Sequence, residues 1–400
     1  MRILAIETSC DDTGIAILEE IEGEFNVLSN VVSSQTIHAN YGGVFPMMAK
    51  REHQKNLLPV FTQALKEAKL LELTKSSLQA KRSNLKTIKK ILEKESVLFD
   101  QVLEFLEKYE KPKVDYIAVT NGPGLEPCLW VGVNFAKVLS FVWDIPLIPV
   151  NHIEAHILVN FLNHKLYSKL DGRQNQSIEF PAISLIVSGG HTQLILVKRT
   201  HSASSGQVFK YEIIGETRDD AAGECFDKCA RVLGLGYPGG PEIARIAAQF
   251  QPSTTHSALA SQIKLPRPMI NSKDYDFSFS GLKTAVLYAD QKVKNKTKKY
   301  IQNMCAEIQQ SIIDVLIKKT LNAAKDFGAK TIILGGGVSA NSELRKQFQI
   351  SNFKFQILFP QKELSTDNGL MIAVAGYFNR KKKASWKNLE ANANLRVGAN

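Results

Sequence analysis

The stretch MRILAIETSCDDTGIAIL, residues 1–18, lays down a strand, a polar loop and a returning strand without a break. Ile3–Ile6 is a short apolar run of strand type, Glu7–Gly14 is polar and ends on glycine, and Ile15–Leu18 resumes the apolar run. The unit recurs. Ile183–Val187 is a second strand, Ser188-Gly189-Gly190-His191-Thr192 a tight turn, and Leu194–Val197 the strand that returns. Each unit opens a long α/β segment, so the pair predicts a duplicated architecture of two similar lobes, divided near residue 150.

Composition sets the bounds. The 400 residues are 44% hydrophobic and 22% charged, a globular mix that excludes disordered and collagen-like classes. That length holds two or three lobes, each with its own core. Fifty Lys and Arg against 39 Asp and Glu leave a net +11, which favours an anionic partner, nucleic acid or an acidic membrane. Five cysteines, few and odd in number, point to a reducing compartment; Cys225 and Cys229, one helical turn apart, read as packing residues. Met1 runs straight into a strand with no leader pattern. The most apolar long stretch, 128–143, is interrupted by Asn134 and Lys137 and is too short for a bilayer. A soluble protein of the cytoplasm is the expectation.

Residues 71–112 differ from their surroundings. Lys75, Lys81, Arg82, Lys86, Lys89 and Lys90 lie in a stretch without acids, while Leu78, Leu85, Ile88, Leu92, Leu98, Val102, Phe105 and Leu106 keep helical spacing. The pattern predicts a helical hairpin with one basic arm, inserted before the strand Tyr116–Val119. Lysines cluster again at 292–299 (Lys292, Lys294, Lys296, Lys298, Lys299) and at 380–383 (Arg380, Lys381, Lys382, Lys383).

Five segments carry candidate chemistry. In Asn151-His152-Ile153-Glu154-Ala155-His156 the histidines at i and i+4 share a helix face, a spacing that lets two imidazoles reach one metal. An HExxH peptidase needs Glu directly after the first His; here Ile153 stands there, and Glu154 points elsewhere. The Ser188–His191 turn can bring backbone N–H groups to a phosphate, although it matches neither the dinucleotide fingerprint nor the P-loop. Gly335-Gly336-Gly337 follows a buried strand, leaving room for a planar ligand, and Asn341 offers a donor and an acceptor to a base or ribose. Tyr237-Pro238-Gly239-Gly240-Pro241 reads as a rigid turn that stops the helix carrying Asp227. Asp367, before a helix at 370–378, can cap that helix or serve as an oxygen ligand.

In order along the chain these motifs closely resemble the TsaD family of tRNA threonylcarbamoyltransferases. The resemblance rests on ETSCDDTGIAI at 7–17, YGGVFPMMAKREH at 41–53, NGPGL at 121–125 and NHIEAH at 151–156. It continues through VSGGHTQL at 187–194, GETRDDAAGECFDKCARVLGLGYPGGP at 215–241, FSFSGLKTAV at 277–286, GGGVSANSELR at 335–345 and TDNGLMIA at 366–373. It spans nearly the whole chain outside 71–112 and the last dozen or so residues.

The resemblance implies an α/β, two-lobed actin/hexokinase/Hsp70-like (ASKHA) fold with duplicated lobes and the inserted hairpin. The first lobe would be 1–149 and the second 150–384, with the metal and nucleotide cleft and a final helix packing back on the first lobe; 385–400 would be a tail. It implies transfer of an L-threonylcarbamoyl group from threonylcarbamoyl-AMP to N6 of adenosine 37, in tRNAs reading codons that begin with A. It further implies metal ligands at His152, His156 and Asp367, one divalent ion, Fe(2+) ahead of Zn(2+), and intermediate-binding residues at Val187, Ser188, Gly189, Gly190, His191, Asp227, Gly240 and Asn341. Implied partners are tRNA, a TsaB-like inactive paralogue and a TsaE-like P-loop ATPase. Asp11, a loop acid, is the candidate catalytic carboxylate.

The sequence departs from the family pattern in places. Met47 stands after Pro46 where the family has Glu, Glu126-Pro127-Cys128 replaces smaller residues, and 385–389 only loosely echoes the usual Trp-Pro-Leu ending. A small-molecule kinase on the same fold and a metallopeptidase are the alternative enzyme classes, and a non-catalytic scaffold the third; the first would hold magnesium on carboxylates rather than on two histidines.

Overall fold

The computed structural model describes residues 1–74, 84–162, 178–200, 209–250, 263–351 and 354–398; Lys75, Leu78, Lys81 and Arg82 of the first basic stretch lie outside them. The opening hairpin is β1 (Arg2–Glu7) paired antiparallel with β2 (Asp12–Ile21), Ile6 opposite Ile15. Strand β3 (Glu24–Ser34) adds on the outside, and β4 (Tyr116–Gly122) and β5 (Leu147–Asn151) add parallel to β1, giving the order β3-β2-β1-β4-β5.

The second sheet repeats the plan. Strands β6 (Ala182–Val187), β7 (Thr192–Arg199) and β8 (Phe209–Glu216) form its antiparallel half, and β9 (Thr331–Gly335) and β10 (Gln356–Leu358) its parallel half, in the order β8-β7-β6-β9-β10. Strand order and direction are the same in both sheets, which is the duplicated ASKHA architecture. In each, the parallel strands end on one side, where ligands of open α/β sheets bind.

The helices follow from capping and apolar pattern. In the first half α1 (Pro46–Glu67) opens on proline and α4 (Glu126–Trp143) carries Pro127 in its first turn. The inserted hairpin is α2 (Leu85–Ile91) and α3 (Ser96–Lys108), whose Ile88, Leu98, Val102, Phe105 and Leu106 are buried. In the second half α6 (Ala222–Val232), α7 (Gly239–Ala247), α8 (Ser280–Gln291), the long α9 (Lys298–Asp326) and α10 (Ser342–Ile350) surround the sheet. Two helices lie between the sheets, α5 (His152–Leu158) and α11 (Gly369–Phe378), and one core cluster joins residues of both, Ile3 and Ala16 with Ile153, Ile186 and Met371.

Helix α11 packs on β1 and β2 of the first sheet. Its first residue touches bare backbone: a Cβ on Gly369 would lie 2.5 Å from the Ala16 nitrogen and the Ile15 carbonyl carbon, and one on Gly14 would lie 2.6 Å from the Gly369 nitrogen. This approach sets the position of Asp367 two residues earlier. Gly369→Ala should therefore cost about 1–3 kcal/mol through overpacking of a site that cannot yield, read as a lower urea midpoint. Gly281→Ala is the control; nothing lies within 4 Å of its Cβ, and the change should be neutral or mildly stabilising.

Residues 384–392 bind along the first sheet, and Arg396 pairs with Glu216 of the second at 2.9 Å. Ala384 N–H donates to the Leu147 carbonyl, Trp386 packs on Phe141 with ring centroids 4.9 Å apart, and Asn392 N–H donates to the Asn121 carbonyl at 2.7 Å. Among the described residues no helix is long and apolar enough to cross a membrane.

Candidate metal and nucleotide site

Asn151 ends β5 and caps α5: its Oδ1 accepts from Ile153 N–H at 2.9 Å and Glu154 N–H at 3.1 Å. The helix thus begins at His152, and His152 and His156 stand one turn apart with rings 4.7 Å apart at 83°. Asp367 comes from the opposite side. Capping of α11 falls to its neighbour Asn368, whose Oδ1 accepts from Met371 N–H at 3.1 Å, so the Asp367 carboxylate is released toward the histidines. Its Oδ1 lies 3.2 Å from His156 Nε2 and 3.5 Å from His152 Nε2, and the three candidate ligand atoms all fall within 4.8 Å of one another. Bonds of about 2.0–2.2 Å from one ion place neighbouring ligand atoms at such separations. The residues fit a divalent metal with two nitrogens and one oxygen, and leave open positions for a substrate.

Behind His152 stands a residue that the sequence reading passed over. Glu7, fully buried, places Oε2 3.3 Å from His152 Nδ1, and Ser9 Oγ lies 3.1 Å from the same nitrogen. Glu7 is itself fixed, accepting from Ser9 N–H and from Thr120 Oγ1, both at 2.5 Å. A carboxylate bonded to the outer nitrogen orients the ring and strengthens its inner nitrogen as a ligand.

The electrostatics of the cluster call for a cation. Burial works against charge on both Asp367 and His152, yet the charge of His152 holds the Asp367 carboxyl below the usual range, and Asp367, then Glu7, hold His152 above its own. His156 stays below its ordinary value through burial, in spite of its bond to Asp367. Burial and the two histidines push His191 down to about 4.

Val187 ends β6, buried. The turn after it is closed by Ser188 N–H to the His191 carbonyl at 2.8 Å and by His191 N–H to Ser188 Oγ at 3.0 Å. Gly189 and Gly190 face open space. The start of α6 abuts this turn: Gly223 N–H donates to the Ser188 carbonyl at 3.2 Å, and a Cβ there would lie 2.6 Å from that oxygen. The amides of Ser188, His191, Ala222 and Gly223 are thus engaged, and those of Gly189 and Gly190, on the open side of the turn, are the place for an anion.

The triple glycine serves packing at two of its three positions. A Cβ on Gly335 would lie 2.7 Å from the His156 carbonyl, and one on Gly336, at φ +83°, 2.5 Å from the Val187 carbonyl; Gly337 alone is loosely surrounded. Asn341 caps α10, its Oδ1 accepting from Glu343 and Leu344 N–H at 3.0 Å each while Nδ2 donates to Gln309 at 2.8 Å.

The expected stop at 237–241 is a start. Helix α6 ends at Val232, followed by Gly234 at φ +70°, and Gly239 and Gly240 open α7. Asp227 ties the two helices together by accepting from Gly239 N–H at 2.7 Å, with Gly240 also donating; burial raises its carboxyl all the same.

Asp11 faces the same cleft. Burial, then the charge of Asp367, raises its carboxyl, and Asp11 in turn helps raise Tyr237. Arg231 of α6 reaches across to donate to the Gly42 carbonyl of the first half. His53, buried in α1, fixes the loop that bears Asp11 through Thr13 Oγ1 at 2.8 Å and the Cys10 carbonyl at 2.9 Å. Glu154 turns away from the metal ligands and accepts from Asn379 Nδ2 at 2.9 Å, as the spacing argument against a peptidase requires. Met47 is 61% exposed in the first turn of α1, and the Cys225 and Cys229 sulfurs, 3.9 Å apart, are buried packing atoms.

The family model for tRNA N6-adenosine threonylcarbamoyltransferase, TsaD, matches residues 26–77 and 89–374. A protein named tRNA N6-adenosine threonylcarbamoyltransferase from Persephonella marina is 40% identical, covering 99% of this chain and 96% of its own length. One of the same name from Thermosipho africanus is 41% identical, covering 99% of this chain and 100% of its own. Among solved structures, the activator of 2-hydroxyisocaproyl-CoA dehydratase from Clostridium difficile aligns over 96% of both chains at 11% identity, with a TM-score of 0.45.

Proposed function

The chain belongs to the tRNA N6-adenosine threonylcarbamoyltransferase family, and on that premise we propose that it transfers the L-threonylcarbamoyl group of threonylcarbamoyl-AMP to N6 of adenosine 37 in tRNAs that read codons beginning with A. The observation that carries the reading is the convergence of His152, His156 and Asp367 beside an amide-lined glycine turn.

In the reaction N6 attacks the carbamoyl carbon, the bond from that carbon to the phosphate oxygen breaks, AMP leaves, and the amine gives up a proton. His152, His156 and Asp367 would hold a divalent ion, Fe(2+) or Zn(2+), which would supply Lewis-acid polarisation of the carbamoyl carbonyl. The chain supplies the rest. The amides of Gly189 and Gly190, on the open side of the turn, take the phosphate charge. Asp227 and Gly240 shape the opposite wall, and Asn341, its Oδ1 used as a cap and its Nδ2 bonded to Gln309, keeps one amide hydrogen for the AMP part of the intermediate. An exocyclic amine is a weak nucleophile, so fixing it against the carbonyl supplies much of the rate. Asp11, its carboxyl raised by burial and Asp367, is the proposed acceptor of the amine proton.

The same reading divides the chain into lobes at 1–149 and 150–384 and a tail at 385–400, places it in the cytoplasm, and gives it a TsaB-like paralogue and a TsaE-like ATPase as partners. The test is mass spectrometry of tRNA nucleosides from a strain depleted of this protein. Threonylcarbamoyladenosine should fall away; its persistence at the undepleted level would overturn the assignment.

A further inference from the structure

We infer that the junction of α8 and α9 is the surface on which the second half of the molecule binds the phosphate backbone of its RNA substrate. The inference rests on the tRNA reading above and goes beyond it by choosing among the basic clusters.

Direction along α9 places this cluster. The C-terminal end of α9 leads through Lys330, whose N–H donates to the Pro181 carbonyl, into the start of β9, at the end of the sheet remote from the site. Farther up, Gln309 meets Asn341, beyond the site end of β9. Lys298 lies eleven residues before Gln309 in the same helix, so about 16 Å farther in that direction. The lysines therefore overhang the side on which the parallel strands end and the cleft opens.

The surface has the composition that RNA requires. Lys292, Lys294, Lys298 and Lys299 are exposed and form no ion pair among the described residues. Lys296 is excluded from the count because it serves the buried Asp290, at 2.5 Å. Asp290 is the only acid between 281 and 306, so this stretch offers the other lysines no second carboxylate. Tyr288, one turn before Lys292 on α8, is 60% exposed, an aromatic face amid cations. Lysines on phosphates with an aromatic ring for an unpaired base is the sequence-tolerant mode of RNA binding.

The cluster at 380–383 points elsewhere. Helix α11 starts two residues after Asp367 and runs away from it; past its far end Lys383 Nζ lies 5.3 Å over the ring of Tyr116, where β4 begins, while Arg380 stacks on Tyr377 at 4.4 Å.

The test is equilibrium binding of unmodified tRNA to the full chain across a salt series. For a variant with Lys292, Lys294, Lys298 and Lys299 all changed to Ser, the slope of log affinity against log salt should fall by about 2–3, and affinity near 0.15 M salt should fall roughly 10- to 100-fold. Changing the same four to Arg should restore both, which a folding defect would not allow. Tyr288→Ala should weaken binding about tenfold with the slope unchanged. Lys381→Ser with Lys383→Ser should leave the slope as it was. If the intact chain binds tRNA with a steep salt slope and the quadruple Ser variant keeps that slope, this surface is wrong and the tRNA reading stands. If the intact chain binds no tRNA at any salt, both fall.

Discussion

Changing Asp367 to Asn should strip the protein of its metal and of transfer activity together, with the fold retained. The substitution keeps the shape of the side chain and removes the one charged oxygen that lies 3.2 Å and 3.5 Å from the two imidazole nitrogens. The loss in metal affinity should exceed about 100-fold, the upper range for removal of a mere outer-shell partner. Capping of α11 belongs to Asn368, so the helix has no reason to fray. Metal content of the purified variant, its circular dichroism and its transfer rate read the three parts of the claim. Full metal occupancy with full activity would show that Asp367 is not a ligand.

Glu7→Gln is the second large effect and a different kind. Glu7 touches no substrate in this scheme; it holds His152 by the ring nitrogen opposite the metal side. Gln preserves the length of the side chain and removes the charge that favours a more basic imidazole, so metal affinity should drop about 10- to 100-fold. The diagnostic is rescue. Raising free metal by the same factor should return kcat of the Gln variant close to that of the unaltered protein, whereas Asp367→Asn should not recover. A variant whose metal affinity is unchanged would reduce Glu7 to a packing role.

Much of this was legible in the sequence, for definable reasons. The two hairpins are local, and their alternation of apolar run, polar turn and apolar run declares strands without reference to the rest of the chain. The i, i+4 histidines were legible too, because helical spacing alone puts them on one face. Glu7 was not, because its meaning depends on Thr120 and His152, brought beside it by the packing of β1, β4 and α5. The choice between Asp367 and Asn368 was equally hidden: both residue types cap helices, and only the approach of Gly369 to β2 decides which side chain turns back and which faces the histidines. At 335–337 the sequence showed three glycines but not that two are demanded by the carbonyls of His156 and Val187. At 237–241 proline and glycine signalled a break, and the break came earlier, at Gly234. Charge was plain from composition. Its placement needed the direction of α9.

The most direct measurement is transfer by the purified chain, with its partner proteins, from threonylcarbamoyl-AMP to unmodified tRNA, followed by nucleoside mass spectrometry. The account predicts threonylcarbamoyladenosine at position 37 and one AMP released per group transferred, lost on chelation and restored when the metal is returned. Threonylcarbamoyladenosine formed at an undiminished rate by chelated protein, or by the Asp367→Asn variant, would contradict it.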